Sequence, residues 1–473
     1  MMTAAEESMP ARKAAGAGIA GGNRPRRTRQ AGLAAFALLA GLAGMVHAAD
    51  GDPDPGFSGD GIATLGFAGG SIDNVKLAVD ASGRVLAGGT ITRTGLNKDF
   101  AIGRLQANGA ADIDFGFQGL RTIGFDFVEN GSDRLHAIIP QDDGRILLLG
   151  VAEVADENPA SAPPALARLT AGGNLDATFG TNGRMQVGGH PWANPTLYIT
   201  QATRQRDGKL LLGGYCNGCP GTYHAVVIRL TANGAPDPSF GTNGWASMPL
   251  SVSNPRFEAI AVDDLGRIVL AGTQSSSGVY RPLVARMTAT GAPDPGFGGG
   301  TGVVTIPLLP SPFFENAVVR AVAIERGHAM VLALGNFTPA TPEAAGLVRL
   351  FADGTRDTLY AVNGLRNLTL EDGSRIHALA MRSDRRVVAA GWIRHTGGNQ
   401  DFLLARVMPD GALDNSFDGN GVLRLPVAET HDGAEAMTLA AGKPVLAGFM
   451  YTSQRDIAVL RMQSDLLFSD GME

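Results

Sequence analysis

The chain has 473 residues, a formal net charge of −6, 44% hydrophobic residues, and 65 glycines against only 6% aromatics. The apolar content excludes a disordered chain, and the glycine surplus points away from a helical protein towards many short strands joined by turns. The acidic balance excludes nucleic acid and anionic lipid as partners, because both need a basic footprint.

In chain order, the first element is an address. Arg24, Arg26, Arg27 and Arg29 precede AGLAAFALLAGLAGMV, an apolar run too short and too rich in small residues for a stable membrane span. VHA then sets up a cleavage site after Ala48. Residues 1–48 are therefore predicted to be a secretory signal peptide, with an uncleaved anchor as the alternative. Residues 49–473 form the mature domain, placed in the periplasm, at the cell surface or outside the cell, with no membrane insertion after cleavage. Removing residues 1–48 takes away six basic and two acidic residues and moves the formal charge from −6 to −10.

A phrase exemplified by LDATFGTNG (175–183) and PDPSFGTNG (236–244) then recurs seven times. Its aromatic falls at Phe57, Phe115, Phe179, Phe240, Phe297, Tyr360 and Phe417, a period close to sixty residues. An aspartate stands three residues before each aromatic, from Asp54 and Asp112 to Asp414. Two further phrases keep the same rhythm: a turn with an apolar run, as in DGRILLLG, and an apolar strand carrying an arginine, as in FAIGRL.

Each unit is thus predicted to hold four strands. Strand one follows the aromatic phrase, and strands two and three flank the glycine turn. Strand four carries the arginine. The Asp-Gly and Ser-Gly steps predict two-residue hairpins. Four strands per sixty-residue unit and seven units predict an all-β fold: a single seven-bladed β-propeller of four-stranded antiparallel blades. An open solenoid, the rival, would need polar caps that neither end shows.

The two ends suggest how the ring closes. Every arginine but the last is followed eight residues later by a phrase aspartate, as Arg104 is by Asp112. Arg461 has no such follower, and Asp54 has no preceding arginine. A ring closed between the N- and C-terminal repeats would pair Arg461 with Asp54. An arginine in an apolar strand needs such a partner, since it cannot be buried bare. The aromatics are then wedges between successive blades.

LDATFGTNG, DGRILLLG and FLLARVMPDG, at this period, resemble the delta-60 repeat of exported bacterial proteins over residues 50–462. The fifth unit departs from the pattern in ERGHAMVLALG, and its phrase carries tyrosine in RDTLYAVNG. The resemblance implies a propeller-like β fold and an exported location. It implies no activity and no catalytic residues.

Function is expected on the irregular loops. Connections two–three and four–one carry the repeated turns at one end, while connections one–two and three–four vary at the other. The variable end collects His190, Trp192, Tyr223, His224, Tyr280, Trp392, His395 and Tyr451. These are candidates for stacking on a glycan or anchoring a protein ligand, or for packing the loops. Asp99, Asp401 and Asp456 each precede strand four in units that a ring makes neighbours; they would hold a cation such as calcium or serve as solvated turn residues.

His136 and His377 recur in strand two in a packing or hydrogen-bonding role. Cys216 and Cys219 in YCNGCPG predict a local disulfide, since no second pair exists to complete a zinc site. No catalytic motif is present, so a non-catalytic binding or scaffold module leads. A carbohydrate-active lyase or hydrolase with carboxylates at the mouth, and a purely structural surface protein, are the alternatives.

Overall fold

The computed structural model of the protein describes residues 51–464, apart from 94–96, 126–130, 155–162, 193–195, 220–221, 308, 310, 312–313, 337–342, 371 and 396. The predicted signal peptide lies outside the described residues. So does most of the variable loop after Val154.

The short β1 (Ile62–Leu65) is followed by β2 (Gly70–Val79), β3 (Val85–Arg93), β4 (Lys98–Leu105) and β5 (Leu120–Ile123). Next come β6 (Ser132–Pro140), β7 (Ile146–Val154), β8 (Pro164–Leu169) and β9 (Arg184–Gln186). The third group is β10 (Thr196–Arg204), β11 (Leu210–Cys219), β12 (Thr222–Leu230) and β13 (Trp245–Pro249). The fourth is β14 (Arg256–Val262), β15 (Ile268–Ser276), β16 (Val279–Met287) and β17 (Val303–Thr305). Then follow β18 (Ala317–Ile324), β19 (Met330–Asn336), β20 (Ala345–Leu350) and β21 (Leu365–Asn367). The sixth group is β22 (Gly373–Met381), β23 (Val387–Arg394), β24 (Gln400–Val407) and β25 (Val422–Leu425). The last three strands are β26 (Asp432–Ala440), β27 (Lys443–Tyr451) and β28 (Arg455–Arg461).

Every group is an antiparallel four-stranded sheet in sequence order, except that a parallel bridge between Lys98 and Ser132 joins the first two. The last three strands take β1 as their fourth, with Ile62 opposite Leu460 and Leu65 opposite Ile457. The sequence units and the sheets are therefore out of phase by one strand. The strand after each aromatic phrase belongs to the preceding sheet, because the phrase turns back on the arginine strand. Asp112 donates its N–H to the Arg104 carbonyl at 3.0 Å, and Arg104 donates to the Gly119 carbonyl at 2.9 Å.

Most hairpins are also longer than expected. In the first sheet the Asp80 N–H donates to the Arg84 carbonyl, and the Gly83 N–H donates to the Asp80 carbonyl. That leaves a three-residue loop, a turn closed by a glycine at φ 76°. The two-residue hairpin occurs at Ala441–Gly442, between the paired Ala440 and Lys443. His328 and Arg385 hold the positive-φ place of the glycine in their own turns.

The first strand of every sheet carries a bulge, at His136, Thr200, Glu258, Arg320, His377 and Glu435, and at Asn74–Val75 in β2. This explains the glycine that ends the apolar run of the second strand. A Cβ on Gly150 would lie 2.0 Å from the Arg134 carbonyl oxygen, and one on Gly391 would lie 1.8 Å from that of Arg375. The first strands stand side by side, β2 next to β6 and so on to β22, with β26 beside both β22 and β2. Apolar clusters fill the space between sheets; one joins Phe57, Ile72 and Ala87 to Ala447 and Val459.

The aromatic phrase makes the joint between units. Arg104 Nε donates to Asp112 at 2.7 Å, its guanidinium lies 4.5 Å from the Phe115 ring centre, and Nη1 donates to the Ala171 carbonyl of the next unit. Arg229 and Arg286 repeat all three contacts. In the divergent fifth unit Arg349 is shared between Asp357 and Glu325. Each aromatic wedge is at most 3% exposed. It abuts a glycine of the following turn: a Cβ on Gly173 would meet Phe115 at 2.8 Å, and one on Gly51 would meet Phe417 at 2.6 Å.

Candidate ligand-binding cleft

The variable-loop end opens into a cleft of about 370 Å³ between the third, fourth and fifth sheets. Its walls are the strand ends on that side: Tyr198 of β10, Tyr215 of β11, Tyr223 of β12, Arg256 and Glu258 of β14, Tyr280 of β16 and Arg320 of β18. Tyr198 and Tyr215 face each other in register across β10 and β11, and their rings stack at 4.4 Å with a 9° interplanar angle. Tyr223 Oη donates to Asn254 Oδ1 at 3.0 Å. Burial, then the neighbouring Tyr198, pushes the Tyr215 hydroxyl up to about 12, so it stays a donor at neutral pH.

Glu258 is the only carboxylate among the described lining residues, and Arg256 engages it at 3.0 Å. Arg320 differs from Arg256, the other cation that lines the cleft. Its Nε is buried without a hydrogen-bond partner, and burial followed by the nearby Arg375 pulls its pKa down. The adjacent Cys216–Cys219 disulfide, with Cα atoms 5.8 Å apart, closes the tip between β11 and β12.

Two further cavities continue inward. One of about 300 Å³ shares Tyr198, Tyr215, Arg256 and Glu258 with the cleft and adds Asn74, Arg134, His136 and Thr200. The next, about 650 Å³, shares His136 and Gln201 with it and reaches Asp80 and Asp142 at the turn end. The bulges therefore set a polar tier at mid-depth. Several tier side chains also bridge sheets: Asn74 Nδ2 donates to the Leu135 carbonyl at 2.8 Å, and Thr200 Oγ1 to that of Phe257 at 2.7 Å. Burial, with Lys76 and Arg134 alongside, lowers His136 to about 3. His377 falls to about 3 as well, by burial and then by Arg375, Arg320, Lys76 and Arg455. Both rings are neutral at physiological pH.

Of the residues expected to bind, Tyr223 and Tyr280 line the cleft and the others do not. Trp192 packs edge-on against Trp245 at 5.9 Å, and the exposed His190 meets the same ring at 6.0 Å. Trp392 is buried between the guanidiniums of Arg375 and Arg394. His395 approaches Asp401 at 3.6 Å. His224 is buried opposite Cys216. Tyr451 is exposed and touches His431 and Phe449.

The three aspartates are each engaged within their own sheet. Asp99 faces Arg93 at 3.3 Å and Asp401 faces Arg424 at 2.5 Å. Asp456 accepts from Thr452 at 2.8 Å and from Gln454 at 2.9 Å. Among the described residues, no three His, Cys, Asp or Glu side chains gather as a metal site requires.

Sequence reasoning missed Tyr198, Tyr215, Arg256, Glu258 and Arg320. A usable signal existed for the tier. His136, Thr200, Glu258 and His377 each stand fourteen residues before the second-strand glycine, at Gly150, Gly214, Gly272 and Gly391.

A family model described as "Domain of unknown function (DUF5122) beta-propeller" matches residues 141–179, 205–240, 266–297 and 382–417. Each match starts in or at the edge of the first hairpin turn of a sheet and ends on a phrase aromatic. The chain is built of β-propeller repeats. No curated protein matches this propeller. Among solved structures it is similar to a protein of unknown function from Dyadobacter fermentans DSM 18053, at 13% identity and TM-score 0.41 over 70% of this chain and 95% of that one. It is also similar to a PL25 polysaccharide lyase, an ulvan lyase, at 12% identity and TM-score 0.44 over 84% and 95% of the two chains. A mutant of Trypanosoma rangeli sialidase displaying trans-sialidase activity gives 9% identity and TM-score 0.42, over 88% of this chain and 60% of that one.

Proposed function

We propose that the protein is an exported, non-catalytic binding module of the delta-60 kind, a closed seven-bladed propeller that takes its ligand in the cleft at its variable-loop end. Closure is supported by β1 pairing with β28 and by β26 lying beside β2. Export is supported by the Cys216–Cys219 disulfide, a bond at home in oxidising compartments.

The observation that carries the binding role is the cleft itself. Its volume of about 370 Å³ lies in the range of small-ligand sites, roughly 300–1,000 Å³, and its tyrosines give flat faces with polar rims. Glycoside hydrolysis needs two carboxylates flanking the scissile bond, about 5–10 Å apart. Among the described residues the cleft offers Glu258 alone, already engaged by Arg256. Binding is favoured over hydrolysis on that ground.

The test is a glycan and polysaccharide screen on the purified chain, scored for both retention and product release. Retention without turnover, lost in Tyr280→Ala, is the expected result. Turnover, or retention indifferent to Tyr280, would count against the module.

A further inference from the structure

We infer that the cleft's ligand is an acidic saccharide, with its ring against the tyrosines and its carboxylate or sulfate on Arg320. This rests on the cleft being the binding site. Arg320 sits at the bulge of β18, so the extra residue turns a guanidinium into the cleft instead of into the sheet. An arginine stays charged inside proteins, and a buried donor with no acceptor is costly. Yet Arg320 Nε is buried with no hydrogen bond, and Arg375 adds like charge beside it, which Glu258 and Glu343 oppose.

Three of the joint arginines show the full set of partners that a buried arginine can find in this fold. Arg104, Arg229 and Arg286 each hold an aspartate within 2.8 Å and a carbonyl within 2.7 Å. Among the described residues Arg320 Nε has no acceptor, and the one carboxylate that lines the cleft is engaged by Arg256. With Nε shielded, an incoming oxyanion would engage the outer Nη edge of this guanidinium, whose fork matches carboxylate and sulfate oxygens.

The remaining lining favours a sugar over an acidic peptide. Four tyrosines, with Asn217, Asn254, Gln274 and Ser275, offer ring faces and hydrogen-bonding groups to a polyhydroxylated ring. Only Pro255, Val318 and Val319 offer aliphatic surface to a peptide side chain.

The test is calorimetric titration of the purified chain with trigalacturonate, a κ-carrageenan tetrasaccharide, galactotriose and hexaglutamate. The first two separate carboxylate from sulfate. At least one of them is expected to bind at least tenfold more tightly than galactotriose. Arg320→Gln should abolish that preference while leaving the weak neutral binding in place. Arg320→Lys, which keeps the charge but not the fork, should lie between, and it serves as the second variant if Arg320→Gln fails to fold. Equal binding of acidic and neutral sugars would overturn the acidic assignment but spare the cleft. Binding unaffected by both Arg320→Gln and Tyr280→Ala would overturn the cleft as well. Preference for hexaglutamate would assign a peptide and overturn the saccharide, and so would failure of both acidic sugars to bind.

Discussion

Arg461 Nε donates to the Asp54 carboxylate at 2.8 Å, across 407 residues of chain, and repeats the bond that Arg104 makes to Asp112 only eight residues away. Its Nη1 donates to the Ala107 carbonyl at 2.5 Å, and its guanidinium lies 4.9 Å from the Phe57 ring centre. One side chain thus ties the last strand to both the first phrase and the turn that follows β4.

The two copies of this joint should differ in cost. Arg104 and Asp112 have side chains 4% and 3% exposed, so Arg104→Met strands a buried carboxylate and should destabilise by about 3–5 kcal/mol. Arg461 is 18% exposed, and Lys443 would still hold Asp54 at 2.7 Å. Arg461→Met should cost less, about 1.5–3 kcal/mol. Urea unfolding midpoints at unchanged slope measure both.

Tyr360 occupies the wedge position that is phenylalanine in the other six copies, and its hydroxyl is buried without a hydrogen-bond partner. Tyr360→Phe removes an unsatisfied polar group and keeps the ring. It should stabilise by about 1 kcal/mol, the lower end of that penalty, seen as a higher Tm. Phe240→Ala, by contrast, empties a fully buried wedge and should cost about 3–5 kcal/mol.

Acid should loosen the interior before most carboxylates titrate. His136 and His377 are held near 3 in the fold, against 6.5 for an ordinary histidine. Between those values the unfolded chain binds the protons and the folded chain does not. Stability from these groups is therefore complete above about 6.5 and falls as pH drops towards 3. The Tm should decrease between pH 7 and pH 5, and the His136→Gln/His377→Gln double variant should flatten that decrease.

Replacing Cys216 and Cys219 by serine opens a four-residue loop, worth about 2 kcal/mol on chain-entropy grounds. Tyr215 and Tyr223 lie on either side of that tip, so the loss should also weaken saccharide retention several-fold. Titration of the reduced wild type gives the matching control.

The repeat was legible in the sequence because its joint is local. Aspartate, aromatic and arginine recur at fixed short offsets, and Asp112 and Arg104 would find each other in any fold that turns between them. The strand phase was not legible. Whether the strand after Phe115 pairs with β4 or with β6 depends on the Arg104–Gly119 backbone bond, which leaves no mark on residue type. The two-residue hairpins were misjudged for a related reason: glycine suits both a two-residue turn and the third position of a longer one.

The sequence by itself determined that there are repeated β units, where their turns fall, and which aromatics and arginines cannot face water. Those properties follow from side-chain chemistry at short range. Only the tertiary structure decided that Tyr198, Tyr223, Tyr280 and Arg320 share one cleft, while Trp192 and Trp392 are spent on packing. These residues come from three successive sheets. What brings them to one mouth is the bulge that turns Arg320 inward and the side-by-side packing of β10, β14 and β18, which is set by long-range contacts and by no local motif.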